Sequence, residues 1–152
     1  MEHLFTYSLR KYLDDYFPEI SRAVIIEDGI VLTGYAKPFA SIMYLGDNVE
    51  IEAAGRRSIT QILRYQIGIY TRSVGERAIL ATALGELLRN PDGIPTYDIK
   101  TGLETKGRFV IDVEEYTPMN AQDSATETTH NHGYFIIAIE ILRDVGASTF
   151  TQ

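Results

Sequence analysis

The stretch ITQILRYQIGIYTRSVGE, residues 59–76, decides the fold. Over Ile59 to Thr71 the pattern alternates. Ile59, Leu63, Tyr65, Ile67 and Ile69 share one face of an extended chain, while Thr60, Arg64, Gln66 and Gly68 share the other, because successive strand side chains point to opposite sides. This is the clearest strand in the sequence, with one face expected to be buried. At Ser73 the period changes. Ser73-Val74-Gly75-Glu76 has the form of a capping box, in which the serine oxygen and the glutamate side chain satisfy free backbone N–H groups reciprocally. Leu80, Leu84, Leu87 and Leu88 come next at helical spacing, and Asn90-Pro91-Asp92-Gly93 ends the helix.

On the N-terminal side, Phe5, Leu9, Tyr12, Leu13 and Tyr16 recur every three or four residues and form one stripe of a helix that Pro18 terminates. RAVIIEDGIVLTGY, residues 22–35, places two β-branched runs around Asp28-Gly29, a dipeptide suited to a hairpin turn. A third short apolar run from Phe39 to Leu45 is expected to stop at Gly46-Asp47-Asn48. NVEIEAAGRRS, residues 48–58, then alternates Val49 and Ile51 with Glu50 and Glu52, as in a projecting hairpin arm.

On the C-terminal side, a loop is expected from Tyr97 to Lys106. Arg108 to Tyr116 reads as a half-exposed strand with Phe109, Ile111 and Val113 on its apolar face. Thr117 to Gly133 is polar and longer than ordinary connections, which suits a contact loop. Tyr134 to Leu142 is the last strand; Ile136 and Ala138 leave even its second face apolar, so cover is expected on both sides. The ASTFTQ tail is expected to fray. Together these elements predict an α+β fold: an antiparallel or mixed sheet, two main helices packed on one side, and a projecting β-hairpin arm, all in a single domain spanning 1–152.

At 152 residues the chain can bury about 70% of its unfolded surface, enough for an ordinary core. It has no cysteine, which removes disulfides, thiolate nucleophiles and cysteine-ligated metals. Twenty-one acidic against 14 basic residues give a net charge of −7, and the scattered Lys and Arg argue against specific nucleic-acid binding. No run is long and apolar enough for a membrane span, and MEHLFTYSLRKYLDDYF lacks the unbroken apolar stretch of a signal peptide.

Few groupings suggest chemistry. His130 and His132, at alternate positions, could share a metal with Glu127 or Asp123 as a third ligand; the competing reading is a polar loop meeting a strand. The acid pairs Asp14-Asp15, Glu50 with Glu52, Asp112 with Glu114, and Glu114-Glu115 fall on expected solvent faces, whereas acid–base catalysis needs differently tuned carboxyls in a cleft. There is no nucleophile elbow, phosphate loop or dinucleotide fingerprint. The expectation is therefore no catalytic residue, no cofactor and no metal. Arg56-Arg57 beside the acidic arm gives a two-signed surface suited to docking.

The order of elements, with PFASIMYLGDNVEIEAAGRRSITQILRYQIGIYTRS (residues 38–73), phrases such as Tyr65-Gln66-Ile67-Gly68-Ile69 and Gly133-Tyr134-Phe135, and the closing strand pair, resembles the tail terminator and minor capsid proteins of the head–tail joining region of siphophages and prophages. The resemblance runs from about Phe5 to Asp144. It implies a non-enzymatic structural protein whose ring, of six copies in relatives of that family, caps the tail tube, stops its polymerisation and meets the head connector. The implied partners are copies of itself, the tail tube protein and the connector. The implied location is the head-proximal end of the virion tail, after assembly in the host cytoplasm. The expected contact elements are the 47–57 arm and the 118–132 loop, with Glu50, Glu52, Arg56, Arg57, Asp123 and Glu127 supplying charge complementarity. Another head–tail joining or completion protein is the nearest alternative. A small metal-dependent hydrolase using His130 and His132 is the alternative from a different class.

Overall fold

The computed structural model describes residues 2–26, 35–51, 58–118 and 132–144. The elements in chain order are α1 (Glu2–Tyr16), β1 (Ala23–Ile25), β2 (Phe39–Ile51), β3 (Ser58–Tyr70), α2 (Val74–Leu88), β4 (Ile94–Tyr97), β5 (Glu104–Phe109), β6 (Ile111–Pro118) and β7 (His132–Asp144). Five strands form one sheet in the order β1-β2-β3-β7-β6, and β4 pairs with β5 in a second sheet. Only β1 and β2 run parallel; the other pairings are antiparallel. The fold is thus α+β with a mixed sheet.

The alternation in β3 sends one face into the main core, but the second face, expected to be open, is also largely covered, with Thr60, Ile62, Gly68 and Tyr70 buried. Leu63, Tyr65, Ile67 and Ile69 are buried in the main core. The same core takes Leu9 and Leu13 from α1, Leu80, Leu84 and Leu88 from α2, and Phe135, Ile137 and Ile139 from β7. Both helices therefore lie on one face of the sheet. α1 packs on β1, β2 and β4, and α2 on β3, β6 and β7. Burying some two dozen side chains in one cluster, at about 1.5–3 kcal/mol for each large aliphatic or aromatic one, is the dominant force holding these layers together.

Helix α2 starts as its capping sequence requires, with one change of partner. Ser73 is extended at the N-cap and its Oγ accepts from the Glu76 N–H at 3.1 Å. The Glu76 carboxylate accepts from the N–H of Arg72 at 2.9 Å, one residue before the cap, and pairs with the Arg72 guanidinium at 2.8 Å. The helix stops at Leu88, and the Asn90 side chain accepts the Asp92 N–H in the turn beyond it. In α1 the stripe holds through Leu13, but Tyr16 departs from it and stands 49% exposed, with Phe17 buried in its place beyond the helix end.

Three expected boundaries shift. The third apolar run does not stop at Gly46: β2 continues to Ile51, passing Leu45 through a bulge between Tyr44 and Gly46. Gly46 makes this possible with φ of +120°, a conformation costly for any residue with a Cβ. The segment from Arg108 to Tyr116 is two strands, because the chain changes sheets at exposed Val110. The expected loop from Tyr97 to Lys106 instead carries the β4–β5 hairpin, whose turn is tied by the Gly102 N–H to the Asp98 carbonyl at 2.7 Å and the Asp98 N–H to the Leu103 carbonyl at 3.0 Å. β5 was hidden because five of its six residues are exposed, leaving no apolar alternation to read. β1 pairs with β2; the expected turn at Asp28-Gly29 lies outside the described residues.

Candidate functional site

β2, β3 and β7 are each 13 residues long, and β3 is paired with β7 from Ser58 to Tyr70 and with β2 from Ile59 to Tyr70. Their flanking strands are shorter. β1 covers β2 only at Ala40 to Ile42, and β6 covers β7 only at Gly133 to Ile139. Past those limits, among the described residues, β2 beyond Met43 and β7 from Glu140 to Asp144 have no strand on their outer edges. Among the described residues the result is a three-stranded blade whose outer strands outrun their neighbours, and an edge of that kind offers backbone groups to a further strand.

The blade contains the base of the expected arm. β2 and β3 pair antiparallel as far as Ile51 opposite Ile59; residues 52–57, the rest of the expected arm, lie outside the described residues. Of the expected contact residues, Glu50 lies in β2 opposite Thr60. Glu52, Arg56, Arg57, Asp123 and Glu127 lie outside the described residues.

The second sheet face, away from the helices, has an aromatic group at one end. Phe39 and Tyr70 stack at 4.6 Å, His132 stacks on Tyr70 at 5.5 Å, and Tyr134 meets the His132 ring edge-on at 4.7 Å. Burial raises the Tyr134 hydroxyl above the usual tyrosine range, with Tyr70 adding to the effect. His132 is 3% exposed, a packed aromatic partner within the sheet. His130 lies outside the described residues, and among the described residues no three of His, Asp and Glu gather as a metal site. Three members of the acid pairs have structural partners: Asp14 accepts the Ala23 N–H at 2.9 Å, Glu114 pairs with Arg64 at 2.9 Å, and Glu115 accepts from Thr117 at 2.9 Å. No helix among the described residues is long and apolar enough to cross a membrane.

A cleft of about 440 Å³ opens between α2 and the β6–β7 side of the sheet. α2 lines it with Arg77 and Ala81, its C-cap with Arg89, β6 with Tyr116 and Pro118, and β7 with Phe135. Its wall is apolar with two guanidinium groups and a phenol. Burial raises the Tyr116 hydroxyl, and the positive charge of Arg77 pulls it back in part. The cleft is hard to see in the sequence because three elements far apart in the chain build it. One signal was present: Arg77 falls on the buried stripe of α2, three and seven residues before Leu80 and Leu84, and a basic residue on an apolar stripe marks either a buried ion pair or a cleft wall.

The other conspicuous surface is acidic and aromatic. The Tyr16 hydroxyl donates to Glu104 Oε1 at 2.6 Å, and Tyr97 donates to the same oxygen at 3.4 Å. Both phenols are raised above their ordinary value. For Tyr16 the hydrogen bond to Glu104 is the main cause; for Tyr97 burial leads, reinforced by the negative charges of Asp15 and Glu104. Next to Glu104, Leu103 is 69% exposed. The chain matches no model of a known protein family and no curated protein sequence.

Proposed function

We propose that this protein is a structural assembly protein of a long-tailed bacteriophage, one subunit of a ring that caps the tail tube, halts its polymerisation and presents a surface to the head connector. The observation that carries the reading is the blade of β2, β3 and β7, which reaches beyond the short strands β1 and β6. Among the described residues these edges carry no further strand; an open edge is a site for pairing with another chain, and a head-to-tail contact that closes on itself gives a finite ring. The resemblance of residues 38–73 and of the closing strands to tail terminators supplies the biological setting, with six copies the expected number and the tail tube and connector the expected neighbours. Two further features agree: carboxylates engaged in structural hydrogen bonds and ion pairs, and a histidine packed between tyrosine rings.

The direct functional test is to add the purified chain to polymerising tail tube protein and view the products by electron microscopy. The expected result is tubes of arrested length carrying extra density at one end. Tubes that elongate normally with bare ends would remove the capping role.

A further inference from the structure

The surface carries two unlike patches whose chemistry is complementary. The first is a patch: Tyr16, half exposed at the end of α1, with Asp15 beside it and Glu104 holding its hydroxyl at 2.6 Å, together with Leu103, 69% exposed and next to Glu104 in the chain. Arg108 lies close enough to offset part of this negative charge, leaving an aromatic and aliphatic tip flanked by two carboxylates. The second is the cleft, whose α2, β6 and β7 walls are apolar at Ala81, Pro118 and Phe135, with Arg77 and Arg89 as the charged lining residues. The first patch rides on α1, which packs over β1 and β2; the cleft lies beside α2, which packs over β3, β7 and β6. The two therefore lie towards different edges of the sheet.

We propose that the exposed patch of Asp15, Tyr16 and Leu103 on one copy seats in the cleft of a second copy, with Asp15 facing Arg89. This deepens the ring reading and rests on it. Two different patches in contact make a head-to-tail interface, which is the kind that closes into a ring or runs on as a filament; a patch that meets only itself stops at a dimer. The apolar tip supplies buried area, and the opposed charges set orientation and exclude a mismatched neighbour. The turn that carries Leu103 is held by backbone bonds at both ends, so little conformational freedom is lost when it docks.

Sedimentation velocity on the full chain over a broad concentration range tests this. Arg89→Glu and Asp15→Arg are each expected to weaken self-association about tenfold or more, and the combined variant to recover to within about threefold of the parent, since the swapped charges again attract. Leu103→Ser, at an exposed position with no packing role in the subunit, is expected to weaken association about tenfold without lowering the melting temperature, and stands as the second variant if Arg89→Glu disturbs the end of α2. If the parent assembles and neither Leu103→Ser nor the charge variants change its association, this contact is overturned while the ring reading stands. A parent that remains monomeric at every concentration overturns both.

Discussion

Ser41 and Gly68 face each other as Cα partners across β2 and β3, and a Cβ added at Gly68 would lie 2.5 Å from the Ser41 Oγ. That hydroxyl is buried with no hydrogen-bond partner among the described residues, and the rings of Tyr70 and Tyr134 close the site at 3.1 and 3.3 Å from the same added atom. Gly68 is therefore required by the approach of its neighbours. Gly68→Ala is expected to destabilise the fold by about 1–3 kcal/mol through overpacking. Ser41→Ala is expected to be neutral or to stabilise by up to about 1 kcal/mol, because it removes an unsatisfied buried group. In a urea denaturation cycle the double variant should cost less than the sum of the singles; strict additivity would show that the two side chains do not meet.

A second contact joins the helices. The Tyr12 hydroxyl donates to the Leu87 carbonyl at 3.0 Å, one of the carbonyls in the last turn of α2 that lack a helical partner. Tyr12→Phe keeps the buried ring and loses this bond together with the hydroxyl's interaction with the Asn90 side chain. The expected cost is about 1 kcal/mol, seen as a fall of about 2–4 °C in melting temperature. An unchanged melting temperature would show that the bond contributes nothing net.

The start of α2 gives the fold a measurable acid sensitivity. The Arg72 guanidinium, with the Arg72 N–H, holds the Glu76 carboxyl below its ordinary value of 4.5. A depressed folded value means that the stabilisation is present above the ordinary carboxylate range and is lost as the pH falls through the lower folded value. Glu76→Gln should therefore flatten the part of the stability–pH curve below about 4.5, while Ser73→Ala should cost about 1 kcal/mol with little change in that slope. Parallel curves for the parent and Glu76→Gln would remove this carboxylate as a source of acid sensitivity.

These experiments probe regions that differ in how openly the sequence declares them. β3 and α2 were legible because burial is periodic there: Leu63, Tyr65, Ile67 and Ile69 enter the core at every second residue, and Ser73 caps the helix just beyond them. The β4–β5 hairpin was not, since β5 buries little and the turn exposes Ile99 and Leu103; hydrogen-bonded pairing, not an apolar face, defines it. The continuation of β2 past Gly46 was hidden by the same property that makes it work, since a glycine able to adopt positive φ reads as a turn. The cleft lay further from reach. Arg77, Tyr116 and Phe135 converge only once the sheet has formed, and nothing in their separate neighbourhoods announces that they meet. Of the expected arm only the part within β2, up to Ile51, is described; how far β2 and β7 outrun their neighbours depends on where β1 and β6 end.

The core itself should behave as a packed interior. Leu84 is fully buried at the centre of α2, whereas Ile79 on the same helix is 71% exposed. Leu84→Ala should cost about 2–5 kcal/mol, from lost burial and the cavity left behind; Ile79→Ser should stay within about 0.5 kcal/mol in the isolated subunit. Equal costs would contradict the assignment of the helix face that meets the sheet.

In the proposed ring, the surface left over after this core is packed meets copies of the same chain. Native mass spectrometry over a concentration series measures it most directly. One closed species is expected at a fixed multiple of the 17.1 kDa subunit, six copies being the expected number, with no larger series above it. A single 17.1 kDa species at every concentration, unchanged by added tail tube protein, would contradict it.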